Sequence, residues 1–266
     1  MRSAIFAIVL LIGSAIPATT PAAAQECAIN PDAIGTSRVI EVNPLKLRRI
    51  GSLQYPTTLP LNDHEIVLTF DDGPIPPQSL DVLDTLASEC VKATFFILGQ
   101  TAEESPDLVR RVASDGHSVG THTQTHARLS DLSLSAAKKE IEMGISSVVK
   151  ALAGTSDLAP FFRAPFLETT APLEGYLVSR GLMLWGIDFQ ADDWLDISPD
   201  EVINRAMNRI EQRGKGVLLL HDMQARTAEA LGKLLAELKS RGYKIVHVVP
   251  QPTSPTPERG AQARRR

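Results

Sequence analysis

Two adjacent acids stand in Thr69-Phe70-Asp71-Asp72-Gly73-Pro74, at the end of an apolar run, and two imidazoles follow at His122 and His126. Carboxylate oxygen and imidazole nitrogen are the donors of a catalytic zinc site, which uses three protein ligands and keeps positions for water and substrate. Asp72, His122 and His126 make such a set, whereas a structural zinc site closes with four ligands. Side chains along a strand alternate between its two faces, so one of Asp71 and Asp72 faces the ion directly and the other can serve as general base. Arg163, charged at any working pH, is the candidate to hold that base ionised through a fixed fork. His221 closes the apolar run Val217-Leu218-Leu219-Leu220. At the mouth of a buried strand an imidazole suits a general acid for a departing amine or alkoxide, and Asp192 or Asp193 can keep it protonated.

Each of these signals is weak alone. Asp and Gly often just make turns, and histidines four apart are common on surfaces. Thr121, Thr123 and Thr125 interleave the imidazoles, which argues for a strand running into a turn rather than a helix. What has to bring the residues together is an alternation of elements. Apolar, β-branched runs predict strands over 65–70, 93–98, 118–122, 160–163, 182–187, 216–220 and 244–248. Helical spacing predicts helices over 78–90, 106–114, 133–152, 172–180, 199–212 and 224–240. Such alternation implies a parallel sheet with crossover helices, and the number of strands favours a closed or nearly closed barrel. Chemistry in a parallel barrel gathers at the carboxyl ends of the strands. Asp71, Asp72, His122, Arg163, Asp193 and His221 all fall at such ends.

The address of the chain narrows the field further. Met1-Arg2, an apolar stretch from Ala4 to Ile16 and the exit Ala22-Ala23-Ala24 read as a cleaved secretory signal over 1–24, too short to span a bilayer stably. The mature protein is therefore expected in the periplasm or outside the cell, without stable membrane insertion. An oxidising compartment permits Cys27 and Cys90 to pair. The composition, 43% apolar in 266 residues, suffices for one large core, and a net charge of −4 gives no reason to expect nucleic acid as partner. The chain divides into the signal, an N-terminal extension over 25–62, a catalytic domain over 63–249, and a Pro- and Arg-rich tail over 250–266 expected to be disordered.

Five motifs in order carry a resemblance: Thr-Phe-Asp-Asp-Gly-Pro at 69–74, His-Thr-x-x-His at 122–126, Arg-x-Pro-Phe at 163–166, Asp-Asp-Trp at 192–194 and Leu-x-His at 219–221. Together they resemble the polysaccharide deacetylases with the NodB homology domain, carbohydrate esterase family 4, over residues 65–249. The resemblance implies a distorted (β/α)7 barrel, with Asp72, His122 and His126 holding a divalent metal, zinc first and cobalt or nickel as alternatives. It further implies that Asp71 is the base, Arg163 its holder, and His221 the acid steadied by Asp193. Trp194 and Leu219 would wall a pocket for the acetyl methyl, and the Phe166 backbone N–H would help stabilise the oxyanion. The implied substrate is an acetylated amino-sugar glycan such as a chitooligosaccharide or peptidoglycan. An O-acetyl esterase using the same site and a non-catalytic glycan-binding relative are the alternatives. Two departures stand out: Gln190 occupies a place commonly held by aspartate, with Asp188 and Asp192 as extra acids, and Phe166 a place often held by tyrosine.

Overall fold

The computed structural model describes residues 30–153 and 158–251. The expected signal, Cys27 of the expected cysteine pair and all of the tail beyond Gln251 lie outside these residues. Among the described residues ten strands run β1 (Thr36–Val42), β2 (Arg49–Ile50), β3 (Glu65–Asp71), β4 (Thr94–Ile97), β5 (Ser118–Thr121), β6 (Leu158–Phe162), β7 (Met183–Trp185), β8 (Phe189–Gln190), β9 (Gly216–His221) and β10 (Lys244–Pro250). Between them lie helices α1 (Gln78–Ser88), α2 (Gly99–Glu104), α3 (Pro106–Ser114), α4 (Leu134–Ala151), α5 (Ala171–Ser179), α6 (Pro199–Arg213) and α7 (Ala225–Ser240).

Every strand pair is parallel, as crossover helices require. The ladder runs from β9 through β3, β4, β5 and β6 to β7, while β8 pairs β9. Residues 186–188 join β7 to β8, so the chain itself carries the wall from one end of the sheet to the other. This is the distorted (β/α)7 barrel. The strand predicted over 182–187 is β7 alone, shorter because the chain leaves that ladder after Trp185, and β8, which pairs β9, lies beyond the predicted span.

Strand alternation sorts β3 into two cores. Ile66, Leu68 and Phe70 join the layer between sheet and helices, whereas Val67 belongs to the barrel interior with Phe96, Phe161, Trp185 and Val217. Both faces are buried, which is why β3 reads as an unbroken apolar run. Thr69 and Asp71 share the inward face with Val67. Position 71 therefore ends the strand with a carboxylate aimed up the barrel axis.

The extension is tied into the same sheet. β1 pairs β10, and β2 pairs β7. Arg38 on β1 donates from Nε and Nη2 to both oxygens of Glu65, at 2.7 and 2.6 Å. The buried Asp188 accepts from Ser52 N, Thr58 Oγ1 and Val217 N, joining the residues after β2 to β9. At the far end β10 continues through Pro250, and Gln251 N donates to Val42 O at 2.7 Å. Among the described residues no helix is long and apolar enough to cross a membrane.

Candidate active site

At the carboxyl ends of the strands the predicted residues converge. Asp71 and His221 are the last residues of β3 and β9, in register with one another, and His122 and Arg163 directly follow β5 and β6. Arg163 is fully buried and lies inside the barrel, its guanidinium carbon 4.3 Å over the Phe96 ring. Its Nη1 donates to Asp71 Oδ1 at 2.6 Å and to Thr69 Oγ1 at 2.9 Å. Burial pushes the guanidinium down from its ordinary pKa, and the Asp71 charge pulls part of that back. The pair is mutually dependent: either ion left alone at this depth would be uncompensated.

Asp72 departs from the alternation expected of a strand. Its φ of 75° lies in the left-handed region, so the backbone turns and brings both carboxylates into one site. Asp72 Oδ1 lies 3.4 Å from His122 Nε2 and 3.5 Å from His126 Nε2, and Asp71 Oδ2 lies 3.8 Å from His122 Nε2. Thr123 and His126 also have positive φ, 69° and 59°, so the imidazoles sit on an irregular turn and not on a helix. Gly144 on α4 lets that turn pack closely, since a Cβ there would fall against the Thr123 carbonyl well inside contact distance.

These donors fit a divalent cation. His122 Nδ1 lies 2.7 Å from the Arg163 carbonyl, to which it can only donate, leaving the Nε2 lone pair toward Asp72. Asp72 Oδ1 is buried without a hydrogen-bond partner. A buried lone carboxylate oxygen beside two imidazole nitrogens is unfavourable unless something positive joins them. Tetrahedral bonds of about 2.1 Å would set donors about 3.4 Å apart, close to the spacings found here. Asp72, His122 and His126 are a group able to hold a metal ion.

The opposite wall holds His221. Asp193 and not Asp192 meets His221: Oδ1 accepts from Nδ1 at 2.8 Å and Oδ2 from the backbone N–H at 2.7 Å. Thr227 Oγ1 on α7 donates to the same Oδ2 at 2.6 Å. Burial pushes the His221 imidazole down, but the bond and charge of Asp193, with Asp71 and Asp72, outweigh it and raise the pKa to about 9. Its Nε2 lies 3.9 Å from Asp72 Oδ2, so the ring faces the three-donor group. Asp222, the next residue, is fully buried with neither carboxyl oxygen hydrogen-bonded. It packs under Gly73, where a Cβ would collide with it. Burial, then the nearby Asp72 charge, pushes its carboxyl up to about 7.

A cleft of about 480 Å³ opens over these groups. Leu219 lines its floor, and Trp194, 43% exposed, stands edge-on to His221 with ring centres 5.7 Å apart. Phe166, 49% exposed, stands edge-on to His126 at 4.7 Å, and Arg128 covers its ring at 3.9 Å while pairing with Glu168. Arg128, Glu168 and Thr227 carry no motif in the sequence. Arg128 and Glu168 read as ordinary surface charges, and Thr227 as a helix residue.

A buried ion pair, a group of three possible metal donors and an imidazole bonded to a buried carboxylate share one cleft on a parallel barrel, an arrangement suited to hydrolysis. Residues 59–184 match the family model described as polysaccharide deacetylase. A peptidoglycan-N-acetylglucosamine deacetylase of Bacillus cereus is 32% identical over 70% of this chain and 68% of its own. A chitooligosaccharide deacetylase of Rhizobium leguminosarum bv. trifolii is 31% identical over 69% of this chain and 90% of its own. The solved structure of a Bdellovibrio bacteriovorus peptidoglycan deacetylase superposes with a TM-score of 0.74 at 28% identity, covering 84% of this chain and 62% of that one. The chain belongs to the polysaccharide deacetylase family.

Proposed function

We propose that the protein hydrolyses N-acetyl groups on an acetylated amino-sugar glycan. The observation that carries this reading is the pairing of two opposed proton-handling groups across one donor trio: Asp71 fixed by Arg163, and His221 fixed by Asp193. Asp72, His122 and His126 would hold a divalent ion, with zinc suited to two imidazoles and a carboxylate and cobalt or nickel as substitutes; when bound, it supplies Lewis acidity to the acetyl carbonyl and to the attacking water. Asp71, with one oxygen held by Arg163, takes the water proton through the other. The Phe166 N–H donates to the carbonyl oxygen as it becomes negative. His221 delivers its Nε2 proton to the leaving nitrogen, and Asp193 steadies the imidazolium beforehand. An amine leaves poorly without that proton, which favours amide over ester as the substrate the site is built for. Trp194 and Leu219 enclose the acetyl methyl.

Peptidoglycan and chitooligosaccharides, the substrates named for the relatives, are the substrate classes this reading covers. The leader-like first 24 residues support export to the compartment where such polymers are met. Acetate release should be measured on N-acetylglucosamine oligomers, peptidoglycan and O-acetylated xylan, with and without a chelator. Release from an N-acetylated glycan, stopped by chelator and restored by zinc, is expected. Release from the ester alone would overturn the amide reading, and release indifferent to chelator would overturn the metal.

A further inference from the structure

Asp192 and Asp193 are neighbours with carboxylates bound in different places. While Asp193 serves His221, the buried Asp192 is taken by two arginines one helical turn apart on α6. Arg209 Nη1 and Nη2 donate to its Oδ1 and Oδ2 at 2.8 and 2.7 Å, a two-pronged contact, and Arg205 Nη1 donates to Oδ2 at 2.9 Å. Arg209 Nη1 also donates to the Gln190 carbonyl at 2.6 Å. One guanidinium therefore grips the chain on both sides of Ala191, itself fully buried.

The segment so gripped is under backbone strain. Asp192 has φ 56°, in the left-handed region, and such a conformation persists only where its surroundings over-determine it. Farther along, Arg226 on α7 bonds the Leu195 and Ile197 carbonyls, so the segment from 190 to 197 is held from two helices. α6 is a firm base for this. Ser198 caps it by accepting from Glu201 N, Pro199 and two acids occupy its first turn, and Gly214 ends it in the left-handed conformation. Glu201 in turn braces Arg205 one turn away, at 2.8 Å. What the clamp fixes is the direction in which the chain leaves Asp192. That direction sets where the Asp193 carboxylate and the Trp194 ring stand against His221.

We propose that Asp192, Arg205 and Arg209 are positioning residues for the general acid: they hold Asp193 and Trp194 against His221 without touching substrate. The proposal rests on the reading of His221 as acid, yet its first test needs no turnover. In the zinc-loaded full-length protein, the His221 Nδ1 proton bonded to Asp193 should give a far-downfield NMR resonance protected from exchange. Asp192→Ala and, independently, Arg209→Ala should broaden or abolish that resonance while zinc content and the folded fraction at the assay temperature stay close to wild type, even though the melting temperature falls. In the same variants kcat on an N-acetylated glycan should fall about 10- to 100-fold with KM little changed. Arg209→Lys, which keeps the charge and loses the fork, should recover only part of the loss. A retained resonance, or a fall in kcat that simply tracks the folded fraction, would overturn the proposal. Wild-type protein that shows the resonance but no deacetylation would instead overturn the proposed function and leave the positioning role standing.

Discussion

Asp71 and Asp72 sit one position apart and serve two different partners. Asp71 ends a strand whose inward face also carries Thr69, so it inherits Arg163 as its neighbour, whereas the left-handed turn at Asp72 redirects that carboxylate toward the imidazoles. The expected consequence is separable loss. Asp71→Asn keeps an oxygen for Arg163 to donate to and leaves the donor trio intact, so zinc content should remain while turnover drops about a hundredfold or more. It also removes the charge that offsets the buried guanidinium, and the melting temperature should fall with it. His122→Ala should lose both zinc and turnover. Zinc content by elemental analysis beside acetate release separates the two, and near-normal activity in Asp71→Asn would refute its role as base. The five motifs made most of these positions legible before any coordinates. The choice between Asp192 and Asp193 was not, because in sequence both are acids before a tryptophan and only their side-chain directions differ. Nor was Thr227 legible, since a hydroxyl on a helix has no spacing rule that marks it.

Elements were legible where they were long and periodic. The predicted helices over 133–152 and 199–212 correspond to α4 and α6 within two residues at each end. α2, β2 and β8, with six, two and two residues, are too short to show a period. β1 was hidden differently: its outward positions Ser37, Val39 and Glu41 are exposed and of mixed polarity, and it joins the sheet through pairing with β10 and the Arg38–Glu65 bond, which no local pattern announces. Packing between elements now yields a test of its own. Gly144→Ala should raise the intrinsic helix preference of α4 by up to about 1 kcal/mol. Yet the added methyl would press on the Thr123 carbonyl and shift the turn carrying His122 and His126. Zinc affinity by calorimetric titration is therefore expected to fall about tenfold or more. Gly175→Ala on α5, where a Cβ meets open space, should raise stability and leave zinc binding unchanged. Equal zinc affinities in the two variants would show that the turn does not depend on α4.

Across the whole molecule, charge is spent unevenly between the two ends of the barrel. The carboxyl ends of the strands gather acids and imidazoles for reaction, while two further histidines are enclosed in the wall as neutral groups. His117 Nδ1 accepts the Ala93 N–H at 3.1 Å, a bond that a protonated ring would turn into a clash of two donors. Burial, followed by the Lys92 charge, pushes its pKa down to about 3. His247 Nε2 lies 3.0 Å from Ser118 Oγ, whose own proton goes to the Val248 carbonyl at 2.7 Å, so Nε2–H donates to the hydroxyl. Burial and then Lys92 push this histidine down to about 4. Unfolded, both would titrate near 6.5, so between there and the folded values the unfolded chain binds more protons. Their contribution to stability is complete above about pH 6.5 and is lost as pH falls toward 4 and then 3, at up to about 1.4 kcal/mol per pH unit for each ring. Asp222 acts in the opposite sense: with its folded pKa raised to about 7, its contribution is present at low pH and lost as pH rises through neutrality. Comparing slopes, not absolute stabilities, isolates the histidines. Urea unfolding of the wild type and of His247→Gln at pH 7, 6 and 5 should give wild-type stability that declines more steeply on acidification. Parallel declines would mean that His247 takes up a proton as readily in the folded protein as in the unfolded chain, and that burial beside Lys92 does not keep it neutral.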